Sequence, residues 1–215
     1  MAKKKEWKEG EMISVFGLIK IVGNQTPLMQ EWINIEPPKL SIFEQYNFDN
    51  AYQTGVQKID TWSEEDLKMK FISHVLELGR VVEDEGFASF FDKKLAAVVD
   101  NYALSVKADF IIAKGVLDYM ERPFFHFQEY KPSKNPTGDS MAQLLEAFLI
   151  AQAQNDDGKP LYGCEVVGKI WRFVTMEGRT YCVSKAYDCT DRDDLLQIIA
   201  ILRKFREILE TRLLK

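Results

Sequence analysis

The order of segments constrains this chain more than any other feature. Three strand-like runs follow one another (residues 96–102, 105–113 and 124–131), a helix comes next (141–154), then three more strand-like runs (161–167, 170–176 and 180–186), and a last helix begins after Thr190. Strands that follow directly need only turns between them, whereas an intervening helix allows a parallel crossover. The order therefore predicts an α/β fold with a mixed sheet flanked by helices on both faces.

Before these strands lies a capped helix. Ser63-Glu64-Glu65-Asp66 has capping-box character, with Asp in the fourth place. Leu67, Met69, Phe71, Ile72, Val75 and Leu76 set its apolar arc up to Leu78, and Gly79 reads as its stop. Residues 80–92 read as a connection with a short helix. Upstream, residues 1–38 look irregular apart from an apolar stretch at 12–22. Leu40, Phe43, Phe48, Tyr52, Val56 and Ile59 recur at helical spacing. The expected division is an N-terminal appendage with one helix at 1–60 and the main domain at 61–215.

The totals set outer bounds. An apolar share of 46% can fill a sizeable core. No run of eighteen apolar residues occurs, and the basic start leads into Glu6-Trp7-Lys8-Glu9 and not into an apolar signal segment. Cys164, Cys182 and Cys189 form no CxxC pair, which fits a reducing, cytoplasmic setting with no membrane partner. A net charge of −5 argues against a broad nucleic-acid surface but leaves room for a local basic groove.

Several polar residues sit where a plain core would not put them. Asp109 lies inside the apolar run 106–112, where a carboxylate needs a partner or a cation. Glu129 and Lys131 alternate onto one face at the end of their strand, behind Phe125 and Phe127. Glu64 or Glu65 falls within the apolar arc of the capped helix, and Lys68 is near its centre. Two carboxylates and a lysine suit metal-assisted phosphodiester hydrolysis. Hard oxygens hold Mg²⁺, the metal activates water, and the ammonium offsets charge developing on phosphorus.

Asp109 followed by Glu129-Tyr130-Lys131 resembles the PD-(D/E)XK motif of the restriction-endonuclease-like nucleases, with Ala108 where the motif has proline. The stretch Ser63 to Ile72 is similar to the helix that opens the nuclease part of type I restriction motor subunits. Gln143 resembles the glutamine that some members place beside the site. The resemblance implies a restriction-endonuclease-like core and a Mg²⁺-dependent nuclease with Mn²⁺ as a substitute, in a restriction or defence role. Asp109, Glu129 and Glu64 would hold the metal, with Lys131 and Gln143 catalytic beside them. Lys68 and Lys134 would touch nucleic acid, DNA being the expected kind.

Each residue also has a structural reading. Glu64 and Glu65 suit a helix dipole, Lys68 can pair with Glu64 one turn earlier, and Gln143 can close a capping box with Ser140. A nuclease-fold module that binds without cutting is the alternative. Residues 1–60, with Trp7 and Trp32, could instead offer apolar surface to a protein partner, and a homodimer is also open. His74 and His126 read as non-ligands.

Overall fold

The computed structural model describes residues 5–84, 86–116, 119–134 and 136–215, without the side chains of residues 83, 84 and 116. The basic start at residues 1–4 and Asn135 in the loop after Lys131 lie outside it.

The chain is mixed α/β. In order it forms α1 (Glu9–Phe16), β1 (Ile19–Val22), α2 (Pro27–Ile33), α3 (Ile42–Lys58), α4 (Glu64–Leu67), α5 (Ser73–Leu78), β2 (Glu83–Asp84), β3 (Phe87–Val99), β4 (Tyr102–Val116), β5 (Tyr119–Lys131), α6 (Ser140–Asn155), β6 (Leu161–Val167), β7 (Ile170–Glu177), β8 (Thr180–Val183), β9 (Tyr187–Asp188) and α7 (Arg192–Ile208). A π-helical turn, Lys68–Ile72, joins α4 and α5 into one helix. The sheet order is β1-β8-β7-β6-β5-β4-β3-β2, with β9 paired to β7. β1 is parallel to β8 and β5 to β6; the other pairs are antiparallel.

Two apolar layers enclose the sheet. One joins residues of α2, α3, α5 and α7 to Phe110, Ile112, Tyr162, Trp171 and Phe173. The other joins α1 and α6 to Leu104, Val106, Ile111, Phe127 and Val174. Helices on both faces match the expected layering.

The N-terminal reading needs correction. Residues 9–33 are regular: they make two helices and a strand that extends the sheet. Trp7 and Trp32 do not offer surface to a partner, because both are buried. Trp32 packs edge-on against Tyr162 and Phe173 and donates its Nε1–H to the Ile201 carbonyl. Among the described residues of 80–92 there is no helix; β3 starts at Phe87, earlier than its polar Asp92-Lys93-Lys94 stretch suggests.

Two local shifts in side-chain phase have physical causes. Met69, assigned to the apolar arc, is 73% exposed, since the π turn adds a residue and rotates the face. Phe125 packs with one layer and Phe127 with the other, not on one face. The β4–β5 register slips between Ile112 and Ala113, which leaves Phe125 as an extra residue on β5. The helix ends at Leu78 with Gly79 as its C-cap, as expected, but Gly79 has a φ of −70° and it is Arg80 that carries the positive φ of 57°. What Gly79 permits is close approach: a Cβ there would lie 2.7 Å from Leu202 Cβ on α7.

Candidate active site

The site forms where β4 leaves β5. Their pairing ends at Phe110 and Gln128, so Tyr102–Asp109 have no partner on β5, and Glu129 to Lys131 pair only with β6. The same point bends the β3–β4 hairpin. Phe90 and Ile111 face the α6 layer, yet farther along so do Leu95, Val99, Leu104 and Val106, so both strands switch phase. Between the two phases Asp92, at φ 55°, stands at the register position opposite Asp109. Asp tolerates this left-handed backbone better than bulkier residues do.

The splay exposes a backbone donor that a carboxylate then takes. Asp109 Oδ2 accepts the Tyr130 N–H at 2.9 Å, in place of the lost ladder bond. Its Oδ1 accepts from Lys68 Nζ at 2.6 Å. Lys68 also donates to Glu64 Oε1 at 2.9 Å, and Asp92 Oδ1 lies 3.7 Å away. On β5, Lys131 Nζ donates to Glu129 Oε1 at 2.7 Å and to the Tyr130 carbonyl at 3.1 Å, with Glu64 Oε2 at 4.0 Å. The structure thus brings Glu64, Lys68, Asp109, Glu129 and Lys131 together. It also answers which acid of α4 faces inward: Glu64 does, and Glu65 is exposed. Ser63 caps α4, accepting the Asp66 N–H, which fixes that first turn.

Charge in this cluster is unbalanced. Burial pushes the Glu129 carboxyl up to about 8, the Asp109 charge adds to the rise, and the Lys131 ammonium only partly opposes both. Lys68 behaves oppositely. Burial disfavours its charge, but the hydrogen bonds to Asp109 and Glu64 outweigh that and hold it above the usual lysine range. Asp92 is held low, first by Lys107.

Hard carboxylate oxygens beside one another are the donor type that Mg²⁺ takes. Among the described residues, however, no group of three His, Cys, Asp or Glu side chains is arranged to hold a metal. The Lys68 ammonium sits where Asp109 and Glu64 converge, so a divalent cation and Lys68 would compete for the same oxygens. The donor chemistry is of the kind the metal takes: Asp109, Glu129 and Glu64 supply the oxygens, and Lys68 occupies those of Asp109 and Glu64.

Gln143 lies on α6, and its Oε1 is buried without a partner among the described residues. The expected capping box with Ser140 does not form: Asp139 is the N-cap, accepting the Ala142 N–H, while Ser140 Oγ donates to Glu165. Gln143, Trp7, Gly138 and Lys131 line a cavity of ≈ 260 Å³. Lys134 is exposed on the loop beyond Lys131 and takes no part in the cluster.

The sequence did not single out the polar ladder behind the site. Tyr130 Oη donates to Gln128 Oε1 at 2.8 Å, and the Gln128 amide donates to His126 Nε2 at 2.9 Å. These residues are fully or almost fully buried, and burial drops the His126 imidazole to about 3. Their alternation along β5 on the face opposite Glu129 was the available signal. Asp92 was also missed, because it lay in a stretch read as connection.

No known family model matches the chain, and no curated protein matches it.

Proposed function

We propose that this protein is a Mg²⁺-dependent nuclease with a restriction-endonuclease-like core, cutting phosphodiester bonds of nucleic acid. The observation that carries the reading is the Asp109, Glu129 and Lys131 cluster at the point where β4 leaves β5, with Glu64 arriving from α4. Adjacent carboxylate oxygens from Asp109, Glu129 and Glu64 are the donor type a divalent cation takes, and a lysine beside them suits metal-assisted phosphodiester hydrolysis.

Mg²⁺, when bound, supplies a Lewis acid and lowers the pKa of a coordinated water. The residues do the rest. Asp109, fixed by the Tyr130 N–H, and Glu129 would hold the cation, with Glu64 as a third carboxylate from the helix side. Lys131 positions the attacking water and offsets charge developing on the phosphorus oxygens. Gln143 has a free acceptor in the same cavity and orients water or substrate there.

One observation favours a second reading, a module that binds nucleic acid without cutting. Lys68 already bridges Asp109 and Glu64, as a cation substitute would. Calorimetric titration with Mg²⁺ separates the two. Binding heat that disappears in Asp109→Asn supports the nuclease. No heat in the folded wild type removes the metal from the account.

A further inference from the structure

Beyond Asp109 the β3–β4 hairpin runs on as an arm, one face buried against α6 and the other open. On the open face Lys94 stands directly opposite Lys107, Ala96 opposite Ser105, and Val98 opposite Ala103. The opposite face carries Leu95, Val99, Leu104 and Val106 in the α6 layer. The open strip is thus two strands wide, and beyond its lysines it carries Ala96, Ser105 and Ala103 with one larger side chain, Val98. Lys94, Lys107, Ala96, Ala103 and Val98 are exposed.

Two lysines directly across an antiparallel pair repel each other, an arrangement that costs stability. Only one has its charge met: Lys107 pairs with Asp92 at 3.0 Å. Lys94 makes no ion pair among the described residues. This pair stands at the base of the arm, next to the catalytic cluster, because Asp92 lies between Lys107 and Lys68. In a protein of net charge −5, a paired-lysine step beside a flat strip complements a polyanion better than a protein surface.

We infer that the open face of the β3–β4 arm is the track for the substrate backbone, with Lys94 and Lys107 contacting phosphates that flank the cleaved bond. The inference rests on the proposed nuclease reading. A phosphate on Lys107 replaces its Asp92 partner, so binding on the arm exchanges one ion pair for another. Small residues along the strip let the backbone approach closely.

Salt dependence of binding tests it, without any need for cleavage. Fluorescence anisotropy is measured with single- and double-stranded oligonucleotides in metal-free buffer over a salt series, for wild type and Lys94→Ala/Lys107→Ala. Loss of two phosphate contacts lowers the slope of log K against log salt by about 1.8 for duplex or about 1.4 for single strand. The probe that the wild type binds more tightly identifies the preferred strand state. Removing the facing lysines relieves repulsion, so both Lys94→Ala and the double variant should keep a Tm no lower than the wild type, which separates the effect from misfolding.

A second assay distinguishes this inference from the function it rests on. Bis(p-nitrophenyl) phosphate is too short to reach the arm. Lys94→Ala, which touches no residue of the cluster, should hydrolyse it at the wild-type rate while its KM for an oligonucleotide rises several-fold. Unchanged slopes and KM in a wild type that binds and cuts would overturn the arm and leave the nuclease standing. A wild type that binds but hydrolyses neither substrate would remove the nuclease reading while the slope still tests the arm. A wild type that binds no oligonucleotide would overturn both.

Discussion

The Lys68 ammonium donates to Asp109 Oδ1 at 2.6 Å, so a lysine from the α4–α5 helix holds the carboxylate that also replaces a lost rung of the sheet. This contact joins helix to strand and neutralises a buried acid. It also occupies oxygens that the proposed metal needs.

Lys68→Ala therefore has two expected effects. Asp109 keeps its Tyr130 N–H but loses its cation, and stability falls by about 1–3 kcal/mol. Removal of the competing ammonium also tightens divalent-ion binding, so Mg²⁺ raises Tm more in the variant than in the wild type. Thermal unfolding with and without Mg²⁺ checks both. An equal Mg²⁺ response in the two proteins would contradict the competition.

The Glu129 carboxyl gives a pH signature. Its ordinary value of 4.5 is raised to about 8 in the fold, so the native state binds the extra proton between those limits. Stability contributed by this group is full at low pH and declines as pH rises from about 4.5 to about 8, by at most roughly 1.4 kcal/mol per unit. His126 works the other way: burial drops it from 6.5 to about 3, so its contribution is lost as pH falls through that window. Glu129→Gln should remove the decline between about pH 4.5 and 8, so that stability in the variant rises with pH up to about 6.5 through His126 and is flat from there to 8. Denaturant unfolding from pH 5 to 9 measures this, and equal slopes in both proteins would be the contrary result.

Residues before the capped helix are predicted to be indispensable for folding. Trp32 is fully buried between α7 and the sheet, and Trp32→Ala is expected to cost about 3–5 kcal/mol. Deletion of residues 1–38 removes Trp32 together with β1, and should leave a protein without a cooperative unfolding transition. Calorimetry of the truncated chain showing a wild-type transition would refute this.

Much of the site was legible because its signals are local. Ser63 caps a helix through its own first turn, and alternation along β5 puts Glu129 and Lys131 on one face whatever the rest of the chain does. Asp109 stood out because an acid within an apolar strand demands a partner. The unread parts depend on register and distant packing. Asp92 becomes visible only once β3 is placed against β4 and both strands switch phase. Phe125 changes layer through a slip that no periodicity announces, and Met69 turns outward through a π turn. Residues 9–33 are short elements whose apolar residues find their partners far along the chain, as Trp32 does at Ile201.

In the proposed function the Asp109, Glu129 and Lys131 cluster cuts phosphodiester bonds with a divalent metal. The most direct measurement is cleavage of plasmid and single-stranded DNA and of RNA with Mg²⁺ or Mn²⁺, run beside Lys131→Ala and Asp109→Asn. The account predicts metal-dependent cleavage by the wild type and a fall of at least about a hundredfold in each folded variant. Wild-type rates in Lys131→Ala, or cleavage that survives removal of the metal by a chelator, would contradict it.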